Sequence, residues 1–166
     1  MILAISVVAI LFLIFYSGKS GAETEAETLI PAYFSAQLGP THQSVNDNPG
    51  IIVWDQIDLN KNISHSNGNI TVAQSGIYCI SVTGVFFGYD ISERYCIMEF
   101  KSDGITMRSA VGQITDLEVG NDYGSVSMSF VCPLTGGVEY SFNFGSGNDG
   151  NVRLEYRTHC SLHRIS

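Results

Sequence analysis

The sequence predicts an all-β protein, a two-sheet sandwich of the jelly-roll kind, on three observations. Residues 76–87 (GIYCISVTGVFF) are apolar and rich in β-branched and aromatic side chains, and they follow a turn-like Gln74-Ser75-Gly76. Such a run reads as a strand covered on both faces. About eight to ten short runs of this type recur at regular spacing between clusters of turn formers, which marks a sandwich or jelly roll. No window after residue 28 carries a helical period.

The central run organises the rest. At period two, Ile77, Cys79, Ser81 and Thr83 fall on one face and Tyr78, Ile80 and Val82 on the other. The opposite sheet covers one face, and a second copy of the chain is expected on the other. Before it, residues 32–38 form a first strand, 39–50 a polar loop dense in turn formers, and 51–57 a second strand that holds Trp54, the single tryptophan. Residues 60–69 read as a polar loop ending in the tight-turn pair Asn67-Gly68, followed by a short strand at 70–72. After the central run, Gly88-Tyr89-Asp90 breaks the chain and 95–100 alternates. Ser102-Asp103-Gly104 turns a hairpin into 105–114. Residues 125–131 alternate small polar with apolar side chains. Thr135-Gly136-Gly137 turns into the clean alternation of 138–144, 145–150 (GSGNDG) is a loop, and 151–165 holds the last strand.

The 166 residues suffice for one domain with a sizeable core. With 45% apolar and 14% charged residues the chain is not disordered. A formal charge of −8 and pI ≈ 4.7 exclude a nucleic-acid binder, because nothing here neutralises phosphates. The few basic residues are scattered and make no membrane-binding patch. Residues 1–16 (MILAISVVAILFLIFY) are continuously apolar and are followed by a segment, 17–22, whose small residues Ser20 and Ala22 place a secretory-signal cut after Ala22. The rival is a retained signal anchor, since the run is slightly short of a bilayer span. The expected organisation is a signal peptide at 1–22, an acidic stub at 23–31 and a globular head at 32–166. The product is secreted and extracellular, with no membrane insertion after cleavage.

Several of these segments together resemble the globular head of the complement C1q family. Tyr33-Phe34-Ser35-Ala36 matches its opening Ala-Phe-Ser-Ala-like strand, and Ile52-Val53-Trp54-Asp55-Gln56-Ile57 its Ile-x-Phe-Asp-x-Val-like strand. Asn67-Gly68-Asn69-Ile70 takes the place of a Thr-Gly-x-Phe turn. Gly76-Ile77-Tyr78-Cys79-Ile80-Ser81-Val82 stands for the Gly-x-Tyr-x-Phe-x-Phe/Tyr hallmark, with Ile80 and Val82 where aromatics are usual. Gly124-Ser125-Val126-Ser127-Met128-Ser129-Phe130 and Gly136-Gly137-Val138 echo later segments. The resemblance spans about residues 32–145, and Thr158-His159-Cys160-Ser161-Leu162 replaces the closing Phe-x-Gly-x-Leu. No Gly-X-Y tract precedes the head, so the implied member is head-only.

The resemblance implies a ten-stranded, two-sheet jelly roll shared with tumour necrosis factor (TNF), assembled as a homotrimer through the inner sheet. Tyr78, Ile80, Val82, Phe86, Phe130, Tyr140 and Phe142 are the expected core or trimer-interface residues. Four cysteines on a secreted chain point to disulfides, with three possible pairings. The jelly-roll order brings Cys79 toward Cys132, with Cys160 a second partner for Cys79. Cys96 matches a family position that bridges to the next strand, where no cysteine stands, so it is free or links copies. No C-x-x-C suggests zinc or redox chemistry.

Asn62-Ile63-Ser64 and Asn69-Ile70-Thr71 are N-glycosylation sequons, Asn62 the stronger by its loop setting. His42, His65, His159 and His163 make no metal constellation; His159 and His163 sit about 13 Å apart along a strand. Asp47, Asp90, Asp103, Asp116, Asp122 and Asp149 lie at turns and solubilise them. Calcium near a trimer apex is the one cofactor that the family suggests, and otherwise none is expected. No G-x-S-x-G elbow or phosphate-binding loop points to an enzyme.

The expected function is therefore a secreted, lectin-like binding protein of the kind used in innate immunity. Its trimer would recognise a microbial or cell-surface glycan or a protein receptor through loops at 39–48, 90–94 and 145–151. The alternatives are a cytokine- or toxin-like effector acting on one receptor, and a matrix oligomer linked through Cys96.

Overall fold

The structure is a computed structural model and describes residues 30–40, 43–45, 49–88, 94–114, 122–146 and 152–166. The expected signal segment 1–22, and the stub 23–31 apart from its end, lie outside these residues. Pro31–Ser166 form one unit. Its described strands are β1 (Tyr33–Gln37), β2 (Gln43–Val45), β3 (Gly50–Ile51), β4 (Gln56–Lys61), β5 (Ile63–Ser66), β6 (Asn69–Val72), β7 (Gly76–Gly88), β8 (Arg94–Ser102), β9 (Ile105–Ile114), β10 (Asp122–Leu134), β11 (Glu139–Ser146), β12 (Val152–Leu154) and β13 (His159–Arg164).

They make two antiparallel sheets, the all-β sandwich that the residue pattern predicts. The first runs β2-β12-β7-β13-β1-β4, with β10 also paired to β7. β12 and β13 follow one another along one edge of β7, opposite residues 86–88 and 78–83, while β10 pairs with all of 76–88. The second sheet runs β5-β6-β11-β8-β9, with β3 also on β11. Short strands at the margins, β2, β3, β5 and β12 among them, raise the number above the expected ten.

The core is the space between the sheets. From the first sheet come Phe34, Tyr78, Ile80, Val82, Phe86, Val126, Met128 and Leu162; from the second come Ile70, Val72, Met98, Phe100, Tyr140, Phe142 and Phe144. Phe100 is the hub. It stacks on Tyr140 at 5.6 Å and meets Phe142 at 5.2 Å and Phe130 at 5.4 Å. The phenols inside are satisfied locally, as buried polar groups must be. Tyr78 Oη donates to the Gln74 carbonyl at 2.8 Å, and Tyr140 Oη accepts from the Thr135 N–H at 2.8 Å. Burial pushes the Tyr78 phenol above its usual pKa, against the opposing pull of Arg164. Gly124 is required by packing, since a Cβ there would lie 2.2 Å from the Phe86 ring.

Three expectations about strands change. The run at 51–57 is not one strand. β3 pairs with β11 in the second sheet and β4 with β1 in the first, so 52–55 cross between sheets. Ile52 and Trp54 keep the alternation and stay buried while Val53 is 48% exposed. Residues 60–69 are not a loop. They hold the end of β4, then β5, then a turn in which Asn67 (φ 50°) and Gly68 (φ 83°) are both left-handed, as a two-residue hairpin demands. β4 and β5 are end strands of their sheets and tolerate polar residues on most positions, which hides them from an apolar pattern. The last strand is divided into β12 and β13 by residues 155–158.

The cysteine expectations change as well. Val131 stands opposite Cys79 and Cys132 opposite Tyr78, so Cys79 and Cys132 point to opposite faces of the sheet. Cys160 stands opposite Val82 and is buried in the core, again on the other face from Cys79. The Cys79–Cys132 and Cys79–Cys160 bridges therefore do not form, and Cys79, Cys132 and Cys160 are free thiols. Cys96 is fully buried and points inward from β8, so it does not reach another copy. Burial raises the Cys132 thiol pKa and raises that of Cys160 far more.

Two outcomes follow. Phe100→Ala is expected to lower stability by about 3–5 kcal/mol, read as a fall in the urea midpoint; an unchanged midpoint would remove Phe100 as hub. With raised pKa values, Cys132 and Cys160 hold their protons at pH 7–8, where thiol reagents need the thiolate. Both should label only as fast as the protein unfolds, and rapid labelling of either in the native state would contradict the packing.

Candidate functional site

The outward face of the first sheet is built by alternation. Side chains on β7 that do not enter the core are Ile77, Cys79, Ser81, Thr83, Val85 and Phe87, all partly covered except the buried Phe87. Register carries the pattern sideways. Ser81 stands opposite Ser161 on β13 and Ser129 on β10, and Ser161 opposite Ser35 on β1. Four serines thus cross four strands in one row. On one side of it lies the row Tyr33, His163, Cys79, Val131. On the other lies Gln37, His159, Thr83, Ser127, in which the Thr83 and Ser127 hydroxyls are 3.0 Å apart. Further along, Ser125 stands opposite Val85 and Tyr123 opposite Phe87, their rings 4.9 Å apart.

No Asp, Glu, Lys or Arg occurs among the outward residues of β7, β10 and β13. Charges lie at its margins: Lys61 opposite Tyr33, Arg153 opposite Phe87, and Glu155 and Arg157 beside Val85 and Tyr123. Large apolar side chains are exposed on or beside the face, including Tyr123, Val131 and Leu59.

The break between β12 and β13 shapes one end of this face. β7 would lose ladder partners at Val85. Instead, the Glu155 N–H donates to the Val85 carbonyl at 2.8 Å, and the buried Thr158 hydroxyl accepts from the Val85 N–H at 3.0 Å and donates to its carbonyl at 3.2 Å. This local pairing closes the break and projects Tyr156 and Arg157 as a turn. Arg157 Nε donates to Tyr156 Oη at 3.3 Å and its guanidinium lies 5.5 Å from the ring centroid. That hydrogen bond raises the Arg157 pKa. A cleft of about 250 Å³ lies among Val85, Tyr123, Glu155, Tyr156 and Arg157. A wider one of about 500 Å³ lies among Gln37, Leu38, Gly39, Pro40, Gln56 and Tyr156.

The residues named as core or interface candidates fall on the inner side. Tyr78, Ile80, Val82, Phe86, Tyr140 and Phe142 are buried between the sheets, and Phe130 is half-buried against Phe100. The outward positions belong to their sequence neighbours. Asn62 is exposed in the turn between β4 and β5 with φ 57°, its Nδ2 donating to the Pro31 carbonyl at 2.8 Å. Asn69 starts β6, half-buried, and its Nδ2 donates to Glu139 at 3.1 Å. His159 and His163 are exposed on the outward face, and His65 lies against Phe34 at 5.6 Å. Among the described residues no three His, Cys, Asp or Glu side chains converge as metal ligands. Asp47, Asp90, Asp116, Asp149 and His42 lie outside the described residues, as do most of the expected recognition loops.

The serine row and the Tyr156–Arg157 turn are absent from the sequence reading. The row depends on register, which no single strand reveals. The turn had a signal, because Glu155-Tyr156-Arg157 interrupts two stretches of alternation.

No protein-family model matches the chain, and no curated protein sequence does. Solved structures do match in fold. Murine APRIL at pH 5.0 superposes with a TM-score of 0.58 at 13% identity, covering 82% of this chain and 100% of that one. Eiger TNF from S. frugiperda gives 0.58 at 13% identity, covering 82% and 92%. The chain has the TNF-like jelly-roll fold.

Proposed function

We propose that this chain is an extracellular binding protein of the C1q/TNF kind, assembled from three copies through the outward face of the first sheet, and not an enzyme. The observation that carries the reading is the uncharged face of β7, β10 and β13. An exposed sheet in a single-copy protein is ordinarily dotted with charge, and this chain has 16 acidic and 8 basic residues to supply it. Keeping them off three adjacent strands suits a surface that another copy covers. The small side chains of the serine row let a neighbouring edge approach closely, and serine and histidine can hydrogen-bond across the contact. Three copies closing head-to-tail match the expectation from the C1q resemblance and the TNF-like fold. Threefold display would turn weak single-site contacts into avidity.

A second reading, a cytokine-like effector with one receptor, draws support from the fold shared with APRIL and Eiger TNF. A matrix oligomer linked through Cys96 has lost its basis, because that side chain is buried. Of the two sequons, Asn62 is the better acceptor, exposed in a turn where Asn69 is held within a hairpin.

Light scattering of the secreted protein should give the mass of three copies, and Ser81→Arg, placing a cation in the middle of the serine row, should reduce it to one. A wild-type mass of one copy would overturn the assembly. Deglycosylation should shorten the wild type by one glycan and leave Asn62→Gln unchanged; a shift retained in Asn62→Gln would move the site to Asn69.

A further inference from the structure

Two histidines stand on the outward face of the first sheet, one on each side of the serine row. His163 lies opposite Tyr33 on β1 and Cys79 on β7, and His159 lies opposite Gln37 and Thr83. Both are exposed in a single copy. We propose that they make the assembly a pH switch: three copies hold together while these imidazoles are neutral, and protonation below neutral pH separates them. This rests on the reading of that face as the contact between copies and names how the contact is regulated.

The surroundings of the two rings carry the inference. Histidine is the side chain that gains charge between pH 7 and 5. β1, β7 and β13 contain no Asp or Glu, so no carboxylate faces either ring from its own strand or from the two strands paired with it. Tyr33 and Cys79 face His163, and acid gives neither a phenol nor a thiol a charge. The ions close by are cations. Lys61 stands opposite Tyr33 on β4. Arg164 follows His163 on the inner face, bonded to Gln74 at 2.6 Å. Arg157 lies two residues before His159, and its carbonyl, 3.0 Å from Nδ1, accepts that proton, which leaves Nε2 to take up the second. The carboxylates are farther off: Asp58 on β4, beyond β1, and the buried Glu155.

An imidazolium covered by another copy would lose water without gaining an anion from its own copy. Desolvation disfavours the charged form, so the assembly holds fewer protons than separate copies do, and falling pH favours separation. Two rings in each of three copies multiply the effect. The net charge acts in the opposite sense. One proton on each of the four histidines moves the full chain from −8 to −4, which lessens repulsion between copies. Separation in acid is therefore a signature of the local contact.

Threefold display, and the avidity it gives, would thus be switched off in acid. The test follows the mass of the intact secreted protein by light scattering from about pH 7.5 to about pH 5, at one ionic strength, with far-UV circular dichroism in parallel. Three copies at the neutral end should become one at the acid end, with the β-sheet spectrum kept and the mass restored on return. His159→Asn/His163→Gln, which puts an uncharged amide in place of each ring, should remain three copies throughout. Each single variant should come apart at a lower pH than the wild type. His65→Gln, on β5 in the other sheet, should come apart with the wild type. A wild type of three copies at both ends overturns the switch and leaves the assembly standing. So does separation that occurs only as the spectrum is lost, or a midpoint that neither single variant moves. Acid resistance in His65→Gln also overturns the assignment to His159 and His163. A wild type of one copy at neutral pH overturns the assembly and the switch together.

Discussion

The alternation along β7 is the constraint on which the rest of this structure depends. Because successive side chains point to opposite faces, Tyr78, Ile80, Val82 and Phe86 enter the sandwich, and Cys79, Ser81, Thr83 and Val85 leave it. A slip of one residue would exchange the two sets, placing an isoleucine and two aromatics on the surface and a serine and a threonine in the core. The register is held from both edges. β10 pairs along the whole strand, and β13 and β12 share the other side. The aromatic cluster around Phe100 then closes on the inner face.

The outer face follows from the same rule applied to its neighbours. Serines at 81, 129, 161 and 35 are unremarkable in four separate strands. Antiparallel pairing brings them into one row, with a row of histidine, thiol and valine beside it. The absence of charge across this area is a property of the sheet and of no single strand. The break at residues 155–158 is equally collective. The Thr158 hydroxyl replaces a backbone partner for Val85, and the freed turn sets Tyr156 at the margin of the face, where β10 contributes Tyr123.

The sandwich was legible in the sequence because its long strands alternate strongly. The runs at 76–87, 95–100 and 138–144 announce themselves, and the turn pairs Asp103-Gly104 and Asn67-Gly68 take left-handed backbone. The end strands β4 and β5 were not legible, since a strand at the end of a sheet has little apolar signal. The run at 51–57 misled for the opposite reason: Ile52 and Trp54 stay buried while the chain changes sheets. Of the two roles open to Tyr78 and Phe142, core or interface, burial gives them the core, and the outward surface of the first sheet is made of the small side chains between its core residues. The cysteine pairing failed on the same parity, since residues 79 and 132 are neighbours in the sheet on opposite faces.

The central claim is that the uncharged outer side of β7 is covered by other copies of the chain. Cys79 tests it most directly, being the free thiol on that side while Cys132 and Cys160 are buried in the core. Its labelling rate with a small thiol reagent, followed over a dilution series, should be slow at high protein concentration and rise as the assembly dissociates, in step with the fall in mass. A rate that is fast at every concentration would show that this face is open to solvent, and would contradict the account.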